Sequence, residues 1–417
     1  MSEPLSTDPY KGVRDFYPAD WARLEAIFSC IRETLELWGY EEYNASPLER
    51  AELYEAKTSE EIVNEQTYTF IDRGDRRVTL RPEMTPTLAR MVAGKRREMP
   101  FPLRWFSIGN RFRYERPQRG RLREFYQADV DLIGLPEGEA DIEIIKIASE
   151  IVKVFGAKED DFSIRINSRA LLTRACEAAG LDSDATRAYL RLLDKRVKMS
   201  TEEFNAARQV ISASDPASLV DPKEMETFVA TLKERGITNA VFDPTLTRGF
   251  DYYTGMVFEI FDANPANSRS IFGGGRYDGL VALFGGDPIP AIGFALGDVM
   301  LSDFLEAHAL VPSDVAHKLQ LYLGTPNAGD IPAAQAFADT LRIQGVRVFV
   351  NLTSRALGDQ VRDAVRRNIP FFIAYGAEEV ASSAVRMKTL ATGEEIELPI
   401  SEISRTLHSS SEEGSGI

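Results

Sequence analysis

Apolar residues at regular spacing predict the first helix and the first strands of this chain. Over residues 20–38 they recur at the 3.6-residue period of an amphipathic helix, and Gly39 follows as a stop signal. The next segment, "YEEYNAS", has the composition of a strand and ends at Pro47. Residues 66–82 are typical of a hairpin that turns at "RGD", residues 73–75. The chain therefore begins with a helix followed by short strands.

Further strands are predicted as far as residue 310. Apolar "LRWFSIG" and "VDLIGL" flank the polar segment 110–131, which indicates a second hairpin. More strands are predicted within 248–262 and 291–300. Residues 169–236 interrupt this pattern, because they are polar and predominantly helical, and we interpret them as an insertion. An antiparallel sheet of many strands with helices around it is the most economical interpretation of residues 1–310.

The pattern changes from about Leu319. Strand and helix alternate as βαβαβ, with helices predicted over 331–344 and 357–367, and a hairpin follows. This alternation predicts a separate α/β domain with a parallel sheet. The end of the chain is polar and rich in Gly and Ser, and it is predicted to be disordered. The predicted parts are 1–168, an insertion 169–236, a continuation of the first part over 237–312, a C-terminal domain 317–402 and a tail 403–417.

Composition narrows the classes of function. The chain has 417 residues, a formal net charge of −15 and no apolar run near the roughly 18 residues of a membrane span. Its first residues lack the apolar core of a signal peptide, and two cysteines cannot form a disulfide framework. We therefore predict a cytoplasmic protein. The three histidines all lie beyond residue 300, which argues against a Cys/His zinc site or a histidine-based triad before that point.

Arginine is concentrated in one segment of this acidic chain. Residues 110–131 contain six arginines, and no lysine occurs between Arg97 and Lys146. The planar, bidentate guanidinium suits phosphate and carboxylate better than an ammonium group does. In "RFRYE", strand alternation places Arg111, Arg113 and Glu115 on one face. Arg113, with Glu115 beside it, is a candidate for gripping a phosphate and accepting a hydrogen bond from a base amine. A solvated surface ribbon is the alternative interpretation.

Two further segments combine charged groups, phenols and glycines. They are "RGFDYYTG", residues 248–255, and "FGGGRYDGL", residues 272–280. Glycine permits close backbone approach, while the arginines, tyrosines and aspartates suit a small zwitterionic or phosphate-bearing ligand. Each segment also has an ordinary structural interpretation, since paired tyrosines in a strand usually pack and a run of three glycines usually turns.

Five ordered segments resemble the histidyl-tRNA synthetase family. They are "YKGVRDFYP" near the start, "TLRPEMT" at 79–85, "FRYERPQRGRLREFYQADVD" at 112–131, "RGFDYYTG" and "GGGRYDGL". The resemblance covers essentially the whole chain, including the helical insertion. It implies an α+β fold in which a class II synthetase antiparallel sheet, flanked by helices, is joined to a C-terminal α/β anticodon-binding domain. It also implies a homodimer that forms through motif 1, the first helix and the strand ending at Pro47.

The activity implied by this resemblance is the joining of histidine to tRNA(His). Histidine would react with ATP, supplied with Mg²⁺, to give histidyl-adenylate and pyrophosphate, and the histidyl group would pass to the 3′ end of the tRNA. No zinc is expected. The alternative is a paralogue without catalysis, such as the regulatory subunit of ATP phosphoribosyltransferase. That family typically lacks the anticodon-binding domain, whereas the present chain is predicted to carry one.

The resemblance also implies roles for individual residues. For ATP, Arg113 is similar to the arginine that binds the α-phosphate, Glu115 to the acid that accepts from the adenine amine, and Phe125 to the aromatic ring that stacks on adenine. Arg121 lies in the motif-2 loop, where contacts to ATP phosphates and the tRNA acceptor end are expected. Arg248 matches an arginine placed between the histidine carboxylate and the α-phosphate, so Arg113 and Arg248 are the predicted catalytic residues.

For histidine, the predicted binding residues other than Arg248 form two groups. Glu83, Thr85 and Gln127 correspond to residues that hold the α-amino group. Asp131 occupies the acidic position that accepts a hydrogen bond from the imidazole, and Tyr253 and Tyr277 are similar to the phenols lining that pocket.

One segment departs from the family pattern. Class II motif 3 usually presents a glutamate and an arginine where "GFALGDVML", residues 293–301, has Val299 and Met300. Met300 is predicted to pack against adenine through its thioether, a weaker contact than a stacked guanidinium. We hypothesise that Arg119, Arg121 or Arg276 supplies the missing charge.

In the C-terminal domain, the candidates for contact with tRNA phosphates are Arg355, Arg362, Arg366 and Arg367, for which a solvated helix face is the alternative.

Overall fold

The computed structural model describes residues 5–55, 66–118, 120–196, 199–249, 252–265, 267, 269–312 and 319–412. Two compact units make up the chain, Met1–Ser313 and Asp314–Ile417. In the part of the chain that is described, no helix is both long enough and apolar enough to cross a membrane.

Most strands of the first unit belong to one large sheet. In chain order the strands are β1 (Glu41–Glu42), β2 (Leu48–Arg50), β3 (Tyr68–Ile71), β4 (Arg77–Leu80), β5 (Leu103–Phe112), β6 (Glu124–Ile133), β7 (Phe162–Ser168), β8 (Ala240–Phe242), β9 (Met256–Asp262), β10 (Ser270–Arg276) and β11 (Ala291–Gly297). Eight of them form a sheet in the order β1-β5-β6-β11-β10-β9-β7-β8, and β2-β4-β3 form a small second sheet. Only the end pairs β1–β5 and β7–β8 of the large sheet are parallel, which confirms the predicted, mostly antiparallel sheet.

Helices cover one face of the large sheet. In chain order the helices of this unit are α1 (Pro18–Leu37), α2 (Ala51–Glu55), α3 (Thr85–Lys95), α4 (Glu139–Lys153), α5 (Arg169–Ala178), α6 (Ser183–Lys195), α7 (Thr201–Ile211), α8 (Lys223–Glu234) and α9 (Asp298–Ala307). The predicted first helix is confirmed as α1, whose apolar stripe, including Phe28 and Ile31, is buried. Side chains of α1, α4 and α9 share one apolar core with the strand residues Val130 and Leu132.

Alternation along β6 explains how the other face becomes polar. Successive strand residues point to opposite faces, so Ala128, Val130 and Leu132 pack in the core with the helices. Gln127 and Asp131 therefore project to the opposite face. The sheet thus separates an apolar side, which stabilises the fold, from a side where polar groups meet.

Two early predictions have different outcomes. The hairpin over residues 66–82 is confirmed as β3 and β4, and its turn is held by the Asp72 carboxylate, which accepts hydrogen bonds from the amides of Gly74 and Arg76. The strand predicted up to Pro47 was too long, because β1 contains only Glu41–Glu42. The chain then leaves the large sheet, and the strand after Pro47, β2, pairs with β4 in the small sheet.

The predicted insertion, residues 169–236, contains helices that belong to two different cores. Helices α5 to α7 build a small apolar cluster of their own, which includes Cys176, Tyr189 and Phe204. Helix α8 instead places Leu232 in the core of the large sheet. The whole segment connects the parallel strands β7 and β8.

The second unit confirms the predicted alternation of strand and helix. Its elements are β12 (Leu321–Gly324), α10 (Ile331–Ile343), β13 (Val348–Val350), α11 (Leu357–Arg366), β14 (Phe371–Ala374), α12 (Ala377–Ser382), β15 (Ala384–Thr389), β16 (Glu395–Pro399) and α13 (Ile403–Glu412). Strands β13, β12 and β14 are parallel, and the hairpin β15–β16 extends the sheet in antiparallel fashion.

The tail predicted to be disordered, residues 403–417, begins with an ordered helix. Helix α13 buries Ile403 and Leu407 in the core of the second unit. Because these two residues are four positions apart, they lie on one helical face and can anchor an otherwise polar segment. Composition alone therefore gave the wrong prediction for 403–412, and residues 413–417 lie outside the described part.

Candidate active site

A cleft opens on the polar face of the large sheet. Its lining residues are Glu83, Thr85, Arg113, Gln127, Asp131, Arg248, Tyr253 and Tyr277, all predicted from the sequence, together with Asp129, Tyr252, Gly293, Phe294 and Ala295, which were not predicted. The structure thus brings together side chains from segments that are far apart in the chain. The predicted residues Glu115, Arg121, Phe125 and Met300 are not part of this lining.

Asp131 provides a buried acceptor in the cleft. The Tyr277 hydroxyl donates a hydrogen bond to Oδ1 of Asp131, while Oδ2 is buried without a hydrogen-bond partner. Burial raises the pKa of Asp131 to about 8, and it also raises the pKa of Tyr277 well above its ordinary value. A buried polar atom without a partner costs free energy. The site is therefore suited to a ligand that brings an N–H group to Asp131.

A second polar group surrounds Glu83. The Tyr252 hydroxyl donates to the buried Glu83 carboxylate over 2.8 Å. Nearby on the sheet, the Gln127 side-chain amide donates to Asp129 Oδ1 over 2.7 Å, which orients the amide. The carbonyl oxygen of Gln127 remains as an acceptor. Carboxylate and amide oxygens of this kind match the hydrogen-bond donors of an ammonium group.

Arg111 explains why Asp129 is not a free anion in this cleft. Its guanidinium is fully buried and binds Asp129 Oδ2 over 2.6 Å. The sequence analysis placed Arg111 on the same strand face as Arg113, and the structure gives the two arginines different partners. The internal carboxylate already neutralises this arginine, so the pair supports the sheet beneath the cleft.

Two arginines reach the cleft from separate strands. Arg113 follows β5, and its Nε donates to the carbonyl oxygen of Pro82 over 2.9 Å. Arg248 precedes β9, and its Nη1 forms a 2.9 Å ion pair with Glu259. The Nε of Arg248 is buried without a hydrogen-bond partner. Because both guanidinium groups line one cavity, an anion between them would be favoured.

The loop between β5 and β6 holds Glu115 and Arg121, while Phe125 lies at the start of β6 and Met300 in α9. Arg121 forms a 2.8 Å ion pair with Glu115, and the Arg113 guanidinium lies 5.3 Å from the centre of the Phe125 ring. Met300 lies against this loop, because a Cβ added to Gly120 would be only 2.5 Å from its sulfur. Phe125 therefore lies close to Arg113, and the loop holds the Arg121 cation against the Glu115 carboxylate. Arg119 lies outside the described residues.

Arg276 has a structural role inside the fold and not the charge-compensating role that was hypothesised for it. It is fully buried, and its Nε and Nη2 each donate to Asp141 over 3.0 Å. Its Nη1 donates to Asp278 over 3.1 Å, and backbone carbonyl groups accept further bonds. The hypothesis that Arg276 compensates for the charge missing at Met300 is therefore wrong, since its donors are occupied inside the fold.

The run of three glycines lies in strand β10 and not in a turn. A side chain at Gly274 would overlap the carbonyl oxygen of Gly293 on the neighbouring strand. At Gly273 it would overlap the guanidinium of Arg248, and at Gly275 it would come within 2.9 Å of the Tyr253 ring. These glycines are needed because the strand and two cleft residues approach closely.

Three contributing residues were missed in the sequence. Tyr252 adjoins the predicted Tyr253, and Asp129 alternates with Gln127 and Asp131 along β6, so both carried a local signal. Glu259, which binds Arg248, carried none, because only the packing of the fold places it there. In the described ranges, no three His, Cys, Asp or Glu side chains are grouped so as to hold a metal ion.

The mostly antiparallel sheet and its cleft place the protein among the class II aminoacyl-tRNA synthetases. A family model described as "Histidyl-tRNA synthetase" matches residues 12–200 and 195–299, and one described as "Anticodon binding domain" matches residues 321–409. The chain belongs to the histidyl-tRNA synthetase family. The second match extends through most of α13, in agreement with the ordered helix found there.

Individual relatives agree with this assignment over almost their full lengths. The histidine–tRNA ligase of Leptospira biflexa serovar Patoc is 38% identical over 424 residues, covering 96% of this chain and 97% of the relative. That of Haloarcula marismortui is 35% identical and covers 94% and 96%. Among solved structures, apo histidyl-tRNA synthetase of S. aureus has a TM-score of 0.75 at 26% identity, covering 97% of this chain and 100% of that one.

Proposed function

We propose that this chain, a histidine–tRNA ligase by family, forms histidyl-adenylate in the cleft between Asp131 and Arg248. One observation carries the proposal: a buried carboxylate oxygen without a partner and two guanidinium groups line the same small cavity. Histidine has the complementary groups, an imidazole N–H and a carboxylate. The histidyl group is then transferred to the 3′ end of tRNA(His).

Asp131 and Tyr277 recognise the imidazole in this proposal. A ring N–H donates to Oδ2 of Asp131, the atom that has no hydrogen-bond partner among the described residues. Tyr277 holds the other oxygen and so fixes the carboxylate, while Tyr253 lines the same pocket. The substrate α-amino group binds Glu83, Thr85 and Gln127, where acceptor oxygens suit an ammonium cation.

The chemical step joins two anions. An oxygen of the histidine carboxylate attacks the α-phosphorus of ATP, the new O–P bond forms, and the bond to the β-phosphate oxygen breaks to release pyrophosphate. Arg113 neutralises the α-phosphate, and Arg248 lies between that phosphate and the carboxylate. Positioning and charge stabilisation are sufficient for this reaction, so no side-chain base is needed. Mg²⁺ accompanies ATP as part of the substrate.

The loop between β5 and β6 binds the rest of ATP. Phe125 stacks on adenine, Glu115 accepts from the adenine amine, and Arg121 contacts phosphate or the acceptor end of tRNA. The 2.8 Å pair of Arg121 with Glu115 supports this arrangement, because it holds a cation and a carboxylate together in this loop. Met300 packs against the nucleotide through its thioether.

Three further proposals concern the whole protein. The second unit binds tRNA, with arginines along and near α11 facing its phosphates: Arg355, Arg362, Arg366 and Arg367. A homodimer forms through motif 1, which is supported by exposed Leu48 on β2 and by Leu283 and Phe284 in the groove beside that strand. A cytoplasmic location is supported by the free thiols of Cys30 and Cys176.

The alternative is a paralogue without catalysis, as in a regulatory subunit. The absence of the motif-3 arginine at Met300 favours it, whereas the match to an anticodon-binding domain and the retained cleft arginines favour the enzyme. Histidine-dependent exchange between ATP and pyrophosphate, with the other nineteen amino acids as controls, separates the two. Exchange with histidine alone supports the ligase. Histidine binding without exchange would support the paralogue.

A further inference from the structure

We propose that Arg269 binds the β- and γ-phosphates of ATP and supplies the charge that Met300 lacks. The inference rests on the proposed function, because it assumes that ATP occupies the loop between β5 and β6. Arg269 directly precedes β10 and is exposed at the surface of the first unit. It belongs to none of the segments that the sequence singled out.

Arg269, Met300 and the loop meet at Gly120. A Cβ added to Gly120 would be 2.5 Å from the Met300 sulfur and 3.5 Å from Nη1 of Arg269. Gly120 has φ +76°, in the left-handed region that favours glycine, so the loop turns sharply there. The guanidinium of Arg269 thus lies beside the residue at the motif-3 arginine position, although it comes from a different strand.

Arg269 is also connected, through neighbouring residues, to the end of the cleft that contains Arg248. Strand β10 begins at the next residue and pairs with β9, where Glu259 lies opposite Gly273 and binds Arg248 over 2.9 Å. On the loop side, Gly120 is followed directly by Arg121, which pairs with Glu115. Arg269 therefore lies between the group that holds Arg248 and the loop that carries Arg121. A triphosphate whose α-phosphate lies at Arg113 and Arg248 extends past these cations.

Charge and chemistry favour Arg269 over the arginines considered earlier. Arg276 is fully buried, and Arg111 is paired with an internal carboxylate. Arg269 is exposed, so solvent and a ligand can reach its guanidinium, and the fork of N–H groups matches phosphate oxygens. Because the thioether of Met300 is uncharged, a neighbouring cation is needed at this end of the site to neutralise the phosphates.

The test compares ATP with AMP, which lacks the two phosphates. In the full-length Arg269→Gln protein, we expect the affinity for Mg-ATP in calorimetry to fall about tenfold, as for loss of one charge-assisted bond, and KM for ATP in exchange to rise similarly. The affinity for AMP and KM for histidine should stay unchanged. In the Arg269→Gln background, Met300→Arg should recover most of the ATP affinity. Arg235→Gln, at an exposed arginine paired with Glu139, is the matched control.

Two results would overturn the inference. Unchanged ATP affinity in Arg269→Gln would remove the residue from the site, and equal losses for ATP and AMP would indicate a general disturbance of the loop. Failure of the proposed function can be distinguished from failure of this inference. A wild-type protein that binds ATP without histidine-dependent exchange would not be an active ligase, yet the comparison of ATP with AMP would still decide the role of Arg269.

Discussion

Tyr277 donates its hydroxyl hydrogen to one oxygen of Asp131, and the other oxygen of that buried carboxylate has no hydrogen-bond partner. The two residues are separated by 146 positions in the chain and lie on either side of β11. This hydrogen bond orients the carboxylate but leaves its hydrogen-bonding capacity incomplete. When Asp131 is ionised, the cleft therefore holds a directed acceptor, which gives selectivity for a ligand with a polar N–H group.

Asp131→Asn should weaken histidine binding much more than ATP binding. The substitution keeps the shape of the side chain but removes the charge, and loss of a charge-assisted hydrogen bond raises KM for histidine by about 10- to 100-fold. KM values from histidine-dependent exchange check this, together with calorimetry of Mg-ATP binding. Equal losses for both ligands would move Asp131 out of the imidazole pocket.

The raised pKa of Asp131 predicts a pH-dependent cost to stability. Burial raises this pKa from 3.8 to about 8 in the folded protein, so the native state holds the proton more tightly than the unfolded state. The stabilisation is present at low pH and is lost as the pH rises toward 8. Asp131→Asn should therefore raise Tm relative to wild type more at pH 8.5 than at pH 5, without ligand. A difference in Tm that is the same at both pH values would contradict this explanation.

Arg113→Ala should abolish adenylate formation while the protein still folds. The guanidinium of Arg113 lines the cleft, and its hydrogen bond to the Pro82 carbonyl oxygen orients it there. Loss of an electrostatic stabiliser at the reacting group typically costs about 10²–10³ in rate. Exchange assays measure this loss, and circular dichroism checks the fold. Arg97→Ala, at an exposed arginine, is the control. Near-normal exchange in Arg113→Ala would exclude it from the reaction.

Arg276→Met should destabilise the first unit strongly. Asp141 would lose its cation inside the protein, and breaking a buried pair by removing one partner costs about 3–5 kcal/mol in the free energy of unfolding. Urea denaturation measures this change. The exposed pair of Arg235 with Glu139 is the comparison, and Arg235→Met should change stability by about 1 kcal/mol or less. Similar small losses for both variants would show that Arg276 has no special structural role.

The sequence predicted those parts of the fold that depend on local spacing. Helix α1, the hairpin β3–β4 and the alternation in the second unit follow from periods of 3.6 and 2 residues within one segment. It also identified eight of the residues that line the cleft, because their segments resemble a known family. For α13 the polar composition wrongly predicted disorder, because one apolar face is enough to pack this helix against the core of the second unit.

The sequence could not give the partners of buried charges. Arg111 and Arg113 look equivalent in "RFRYE", yet the first meets Asp129 across the hairpin and the second reaches the cleft. Arg276 meets Asp141, which is 135 positions earlier in the chain. Such pairs depend on strand register and on packing between distant segments, so no local pattern distinguishes a structural arginine from one that binds a ligand.

Met300→Arg tests whether the missing motif-3 charge is fully replaced. If Arg121 and Arg269 already neutralise the triphosphate, a new arginine beside Gly120 adds little, and we expect the affinity for Mg-ATP to change by less than about twofold. Met300→Leu, which keeps an apolar side chain of similar size, is the control for packing against the loop. Calorimetry of Mg-ATP binding measures both variants. A gain of several-fold in Met300→Arg alone would show that compensation is incomplete, and that this protein binds ATP with less positive charge than the cleft can accommodate.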